Sequence, residues 1–78
     1  MKALQDQKVL ILGLGASGLA MARWCARQGA QVTVADTRAA PPQLPQLRAS
    51  VPGATFVAST LDAALVEGTG VGVVFKSP

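Results

Sequence analysis

Four short apolar runs punctuate the chain: Val9-Leu10-Ile11-Leu12, Val32-Thr33-Val34-Ala35, Thr55-Phe56-Val57 and Val71-Gly72-Val73-Val74-Phe75. β-branched residues and leucine dominate them. The first and last run on without polar alternation, as strands of a parallel sheet do when both faces are buried. Between the first two runs, Ser17 to Gln28 repeats with a helical period. At about 100° per residue, Gly18, Leu19, Met21, Ala22, Cys25 and Ala26 gather on one face, and Arg23, Trp24, Arg27 and Gln28 take the other. The inner face is made of small residues, which lets the helix lie close to a sheet, and Gly29 supplies its stop. Cys25 reads as a small core residue rather than a reactive thiol. Trp24 reads as a cap on the core's edge rather than a ligand contact.

Past Asp36 the chain turns through Thr37-Arg38-Ala39-Ala40-Pro41-Pro42, whose prolines forbid a helix. A short helix is predicted over Leu44 to Ser50, ended by Pro52-Gly53. Another starts at Ser59 or Thr60, with either hydroxyl as N-cap, Asp62 in the first turn, Leu61 and Leu65 facing inward and Gly68 at its end. Strands alternating with helices predict an α/β fold, a Rossmann-like doubly wound parallel sheet. Right-handed crossovers order about four strands 3-2-1-4.

Directly after the first strand, and opening the first helix, stands Gly13-Leu14-Gly15-Ala16-Ser17-Gly18. In a G-x-G-x-x-G loop of this context the first glycine permits the tight turn, the second lets the backbone approach a diphosphate, and the third allows close helix-to-strand packing. Free amides at the helix start and the positive end of its dipole then hold phosphate. Asp36 ends the second strand about 20 residues beyond the loop, where an acid can hydrogen-bond a ribose or a base. The alternative is an aspartate that only caps the following turn. Ser17 either donates to a phosphate oxygen or caps the helix.

Composition narrows the partner. Half of the 78 residues are apolar and 14% are charged, which excludes a disordered tail, and the seven basic residues are scattered, which excludes a phosphate-tracking nucleic-acid stripe. The net charge of +3 suits a small anion. One cysteine and no histidine leave neither a disulfide nor a structural zinc site, and point to a reducing, cytoplasmic setting. The uncharged run from Val9 to Ala22 is too short to span a membrane, and its glycines and the preceding Asp6 do not suit a secretory leader. A nicotinamide dinucleotide is the generic ligand of such a loop. Arg38, two residues past Asp36, disturbs that assignment: it suits a 2′-phosphate that Asp36 would repel. Its other reading is a surface ion pair.

The Asp36-Thr37-Arg38 turn followed by Pro41-Pro42, the G-L-G-x-S-G loop at Gly13 to Gly18, and the Ser77-Pro78 that closes the fourth strand together resemble the N-terminal domain of the bacterial Mur ligases, most closely the branch that adds D-glutamate. The resemblance covers essentially all of residues 1–78 and implies one N-terminal domain that binds the UDP portion of UDP-N-acetylmuramoyl-L-alanine in peptidoglycan synthesis. It implies that amides around Gly15, Ala16 and Ser17 hold the diphosphate, within a UDP site that also includes Gly13 and Gly18, that Asp36 and Thr37 meet the uracil, with the Asp36 carboxylate accepting from the base and the Thr37 backbone completing the edge, and that Ser77 sits beside the uridine. It implies ATP and Mg2+ for the parent enzyme, which activates a carboxylate as an acyl phosphate, with the ATPase and C-terminal domains lying downstream. Within these residues there is no G-x-x-x-x-G-K-[ST] loop, no base-nucleophile pair and no metal cluster, so no catalysis is expected from this segment alone. The competing assignments are an NAD(P)-binding Rossmann domain of an oxidoreductase or NAD-sensing regulator, and a structural fragment that binds nothing.

A truncated sheet has a physical consequence. Two helices cover one face and only Leu61 to Val66 the other, which leaves Val71 to Phe75 as an apolar edge. The isolated chain is therefore expected to self-associate through that edge or to be marginally stable.

Overall fold

The computed structural model describes residues 6–59 and 72–76. Among them, β1 (Lys8–Leu12), α1 (Ala16–Arg27), β2 (Gln31–Asp36), α2 (Leu44–Ser50), β3 (Thr55–Ala58) and β4 (Val73–Lys76) follow in order. The strands form one parallel sheet in the order β3-β2-β1-β4. This is the truncated α/β, Rossmann-like arrangement predicted from the alternation of strand and helix patterns.

Register places the core. Val9 pairs with Val32 and Ile11 with Val34, and by strand alternation these four share a face. They pack with Leu19, Ala22 and Cys25 of α1 and Leu47 of α2, so both helices cover that face. Leu10 and Ala35 lie on the other face and are buried as well. Full burial of a leucine or isoleucine side chain contributes about 1.5–3 kcal/mol, so the triplet Val9-Leu10-Ile11 anchors the sheet from both sides. Arg23 of α1 donates from Nη2 to Ser50 Oγ of α2 at 3.0 Å, a surface tie between the helices.

Helix α1 ends through its glycine. Gly29 has φ 85°, its amide donates to the Ala26 carbonyl at 3.0 Å, and the Ala30 amide donates to the Cys25 carbonyl at 3.1 Å. The two bonds form a Schellman motif and satisfy carbonyls the helix would leave open. Cys25 is fully buried, and burial pushes its thiol pKa up, as suits a packing residue. Trp24 is exposed on the outer side, as its helical position predicts.

One expectation is corrected at the fourth strand. It runs Val73–Lys76 rather than Val71 to Phe75, because the ladder follows the β-branched pair and Gly72 stays outside it, donating one amide to the Lys8 carbonyl at 3.0 Å. Among the described residues β4 pairs only with β1 and Val74 is 42% exposed, in line with the apolar edge read from the sequence. The helix predicted from Ser59 to Gly68 lies, apart from Ser59, outside the described residues, as do Val71, Ser77 and Pro78. The Ser59 amide donates to the Asp36 carbonyl at 3.0 Å.

Candidate functional site

In an open parallel sheet, ligands bind beyond the carboxyl ends of the strands where the strand order reverses. Here the reversal falls at β1, with β2 on one side and β4 on the other. The glycine loop leaves the sheet at that point.

The three glycines have three different physical explanations. Gly13 has φ 99°, a region L-residues with side chains rarely adopt, and its amide donates to the Ala35 carbonyl at 2.7 Å. At Gly18 a Cβ would collide with the Gly13 carbonyl oxygen and stand 3.6 Å from Ile11 Cγ2, so this glycine sets the approach of α1 to β1. Gly15 has neither reason. Its backbone is extended, with φ −98° and ψ −166°, and a Cβ built there meets no protein atom within 4 Å. The chain itself would accept a side chain at 15, and the open space there is what a ligand's phosphate would need.

Gly15 is also the N-cap of α1 and makes no side-chain cap hydrogen bond. The cap is therefore not Ser17, which resolves one of the two roles the sequence left open for that hydroxyl. Ser17 is exposed in the first turn. The amides of Ala16, Ser17 and Gly18 precede the first intrahelical bond and have no helical acceptor, and no acidic residue occupies that turn. The result is a short row of donors at the positive end of the helix dipole, facing the space beside Gly15.

Leu14, between the first two glycines, is fully buried and pins the loop into the core. Its amide donates to Asp36 Oδ2 at 2.8 Å. Sequence reasoning missed both roles, because the second position of the motif is unconstrained by type. Arg38, whose alternative reading was a surface ion pair, makes one with Asp36. It donates from Nε to Asp36 Oδ1 at 3.0 Å and from Nη2 to Asp36 Oδ2 at 2.9 Å, and its own amide reaches Oδ1 at 2.9 Å in an Asx turn. Nη2 also lies 3.4 Å from the Leu14 carbonyl, a long contact. That Asx turn is the alternative the sequence left open for Asp36, an aspartate capping the turn that follows it.

Hydrogen bonding from the Arg38 guanidinium holds the Asp36 carboxyl well below the usual carboxylate range. Burial opposes this and the Arg38 and Leu14 amides reinforce it. The Arg38 pKa is raised in turn by the same bond. Thr37 is exposed at the end of β2. Lys76 pairs with Leu12, so the chain leaves β4 on the loop's side of the sheet, while Ser77, the next residue, lies outside the described set. Thus Gly13, Gly15, Ala16, Ser17, Gly18, Asp36 and Thr37 are brought to one end of the sheet.

A groove of about 680 Å³ lies elsewhere among the described residues. It opens at the amino ends of the strands, lined by Lys8, Gln31, Thr33 and Thr55 with the turn at Pro52 and Gly53. Lys8 is its one charged lining residue. Among the described residues no group of three or more His, Cys, Asp or Glu could hold a metal ion, and no helix is long and apolar enough to cross a membrane.

Comparison with known proteins agrees with the loop and turn. Residues 7–74 match the model of the Mur ligase MurD-like, N-terminal domain. A UDP-N-acetylmuramoylalanine--D-glutamate ligase from Albidiferax ferrireducens is 72% identical over all 78 residues, and one from Polaromonas sp. is 59% identical over the same span. A ligase of the same name from Ralstonia nicotianae is 63% identical over 60 residues, 77% of this chain. The matched region is 15%, 13% and 12% of those three proteins, so the chain spans about one seventh of the length of such relatives. With identity this high across the loop, the turn and the strands between them, the chain belongs to the family of Mur ligase MurD-like N-terminal domains.

Proposed function

We propose that this segment binds the uridine diphosphate portion of UDP-N-acetylmuramoyl-L-alanine, as the N-terminal domain of an ATP-dependent, amide-forming ligase that adds D-glutamate to that substrate in cytoplasmic peptidoglycan synthesis. The observation that carries the reading is Gly15: a glycine required by neither its φ nor its packing, with open space beside it and three amides without helical acceptors next to it. In this reading the amides of Gly15, Ala16, Ser17 and Gly18 hold the diphosphate, Gly13 shapes the loop, and Thr37, the end of β2 at Asp36, and Ser77 flank the uracil. Among the described residues no group of three or more His, Cys, Asp or Glu could hold Mg2+, and in this reading no step through ATP or Mg2+ is assigned to this chain. Those groups, and the acyl transfer they support, belong to the remainder of a longer parent protein, the segment's first partner.

A dinucleotide would need Asp36 free to accept from a ribose diol, and four donors already meet that carboxylate. An NMR titration separates the two ligands. UDP-N-acetylmuramoyl-L-alanine is expected to shift the amides of Gly15 to Gly18 and of Thr37 and Ser77, while NADH leaves them in place. Binding of NADH without the UDP ligand would discard the proposal.

The outer edge of β4 carries no strand among the described residues, and Val74 is exposed beside it. This edge is where the rest of a parent chain, or a second copy of this one, would pair. For the isolated chain we expect a sedimentation coefficient that rises with concentration. A concentration-independent monomer would refute the pairing.

A further inference from the structure

Away from the glycine loop, the amino ends of the strands leave a groove of about 680 Å³, within the span of about 300–1,000 Å³ usual for a small-molecule site. Its outline follows from register. β1 and β2 start together, Lys8 beside Gln31, whereas β3 joins only at Thr55 opposite Thr33. Gln31 and Val32 therefore have no strand beside them on the β3 side among the described residues, and the turn at Pro52 and Gly53 borders the notch.

Gly53 is the first pointer to a ligand there. The Ala54 amide donates to the Val51 carbonyl at 3.0 Å, so Pro52 and Gly53 are the central residues of a β-turn. A type II turn needs a positive φ at the second of them, but among the described glycines only Gly13 and Gly29 have one. Packing does not require glycine either, because a Cβ built at Gly53 meets no atom within 4 Å. Like Gly15 at the opposite end of the sheet, Gly53 is explained by no atom of the protein, and it lines the groove.

The polar lining is the second. Lys8, Gln31, Thr33 and Thr55 share one face of the sheet by strand alternation. Among the described residues none of these four side chains forms a hydrogen bond or an ion pair. No carboxylate lines the groove beside Lys8. Across from them, α2 ends at Ser50 with the carbonyls of Arg48, Ala49 and Ser50 lacking helical donors. Pro52 has no N–H to offer the first of these. Ser50 Oγ accepts from Arg23 Nη2 at 3.0 Å, which leaves its own proton to donate. A ligand that suits both walls has an anionic group for Lys8, and hydroxyls that give to carbonyls and accept from Gln31, Thr33 and Ser50.

We propose that this groove is a second ligand site, which takes a small polyhydroxylated anion of the size of a sugar phosphate or a sugar acid. The length of β2, Gln31–Asp36, sets it roughly 16 Å from the glycine loop's end of the sheet, at about 3.3 Å per residue. Both sites can be filled together, and this one does not rest on the UDP reading.

Amide spectra of this chain titrated with glucose 6-phosphate and with gluconate test it. At least one of the two is expected to shift Gln31 to Thr33 and Gly53 to Thr55, with UDP present as without it, and the one that binds tells phosphate from carboxylate. Glucose and inorganic phosphate each lack half of the recognised chemistry and are expected to bind at least tenfold more weakly. Lys8→Gln removes the exposed cation, and Gly53→Leu fills the space beside the turn. Each is expected to weaken binding tenfold or more with the melting midpoint unchanged. Absence of these shifts at millimolar ligand, shifts confined to Gly15 to Gly18, or glucose or inorganic phosphate binding as tightly as the sugar anion would overturn the proposal. Undiminished binding by Lys8→Gln would do the same. If Gly53→Leu does not fold, Lys8→Gln decides alone.

Discussion

Gly18→Ala is expected to destabilise the chain by about 3 kcal/mol, the upper part of the range for overpacking against rigid surroundings. Helix propensity alone predicts the opposite, because alanine is better than glycine inside a helix by about 1 kcal/mol. Space decides the sign. The new methyl would collide with the Gly13 carbonyl oxygen and stand 3.2 Å from its carbon. Neither atom belongs to a side chain that can rotate away. The Gly13 peptide is held by its own positive φ and by the 2.7 Å bond to Ala35, so relief requires α1 to lift from β1. Lifting α1 loosens Leu19, Ala22 and Cys25 against Val9 and Ile11, which is most of the helix's share of the core. For a domain of this size each kcal/mol moves the melting midpoint by about 4–8 °C, so a fall of roughly 12–24 °C should be seen by circular dichroism. A Gly18→Ala chain melting at or above the parent temperature would show that the close approach is not what glycine serves here.

The same contact marks how far the sequence carried the fold. Helical periodicity from Ser17 identified the buried side of α1 residue by residue, since one apolar stripe fits only one docking onto the sheet. The boundaries of α2, Leu44 to Ser50, were legible because prolines and Pro52-Gly53 bracket it. The strand order followed from crossover handedness with no knowledge of side-chain contacts. The fourth strand was displaced because an apolar run does not distinguish a glycine that pairs once from residues that continue the ladder.

The site was legible to a lesser depth. A motif names the residues that meet at one end of a sheet, and it did so for Gly13 to Gly18, Asp36 and Thr37. It does not say which way a carboxylate turns. That choice is made between positions 22 residues apart, where the buried Leu14 amide and the Arg38 guanidinium compete with any ligand for the same oxygens. An unpaired amide buried at Leu14 would cost about 1–3 kcal/mol, and this cost turns the Asp36 side chain inward. The D-T-R spacing carries half of the pattern, the strand-end pair. The other half, the loop amide, emerges only when β1 and β2 are aligned in register.

Gly15→Ala should separate folding from binding in the way Gly18→Ala cannot. A Cβ at position 15 meets no protein atom within 4 Å, and the extended backbone there is open to any residue. The folding cost is limited to a poorer N-cap, about 1 kcal/mol or less, so the melting midpoint should fall by no more than about 8 °C. Binding is another matter. A diphosphate held by amides of the first turn must approach the backbone at this residue, and a methyl there displaces it from donors whose reach is short. Hydrogen bonds to a charged group are worth about 1.5–3 kcal/mol each, and losing the alignment of one or two raises the dissociation constant for UDP about a hundredfold, roughly 2.8 kcal/mol. Calorimetric titration of the two chains, beside their melting curves, reads both effects. A Gly15→Ala chain that binds UDP as the parent does would mean that the space beside Gly15 is not where the phosphates lie, and the diphosphate would have to be sought away from the start of α1. The contrast with Gly18 is the sharper test, because the two glycines stand three residues apart in one loop, and only one of them is explained by the protein's own atoms.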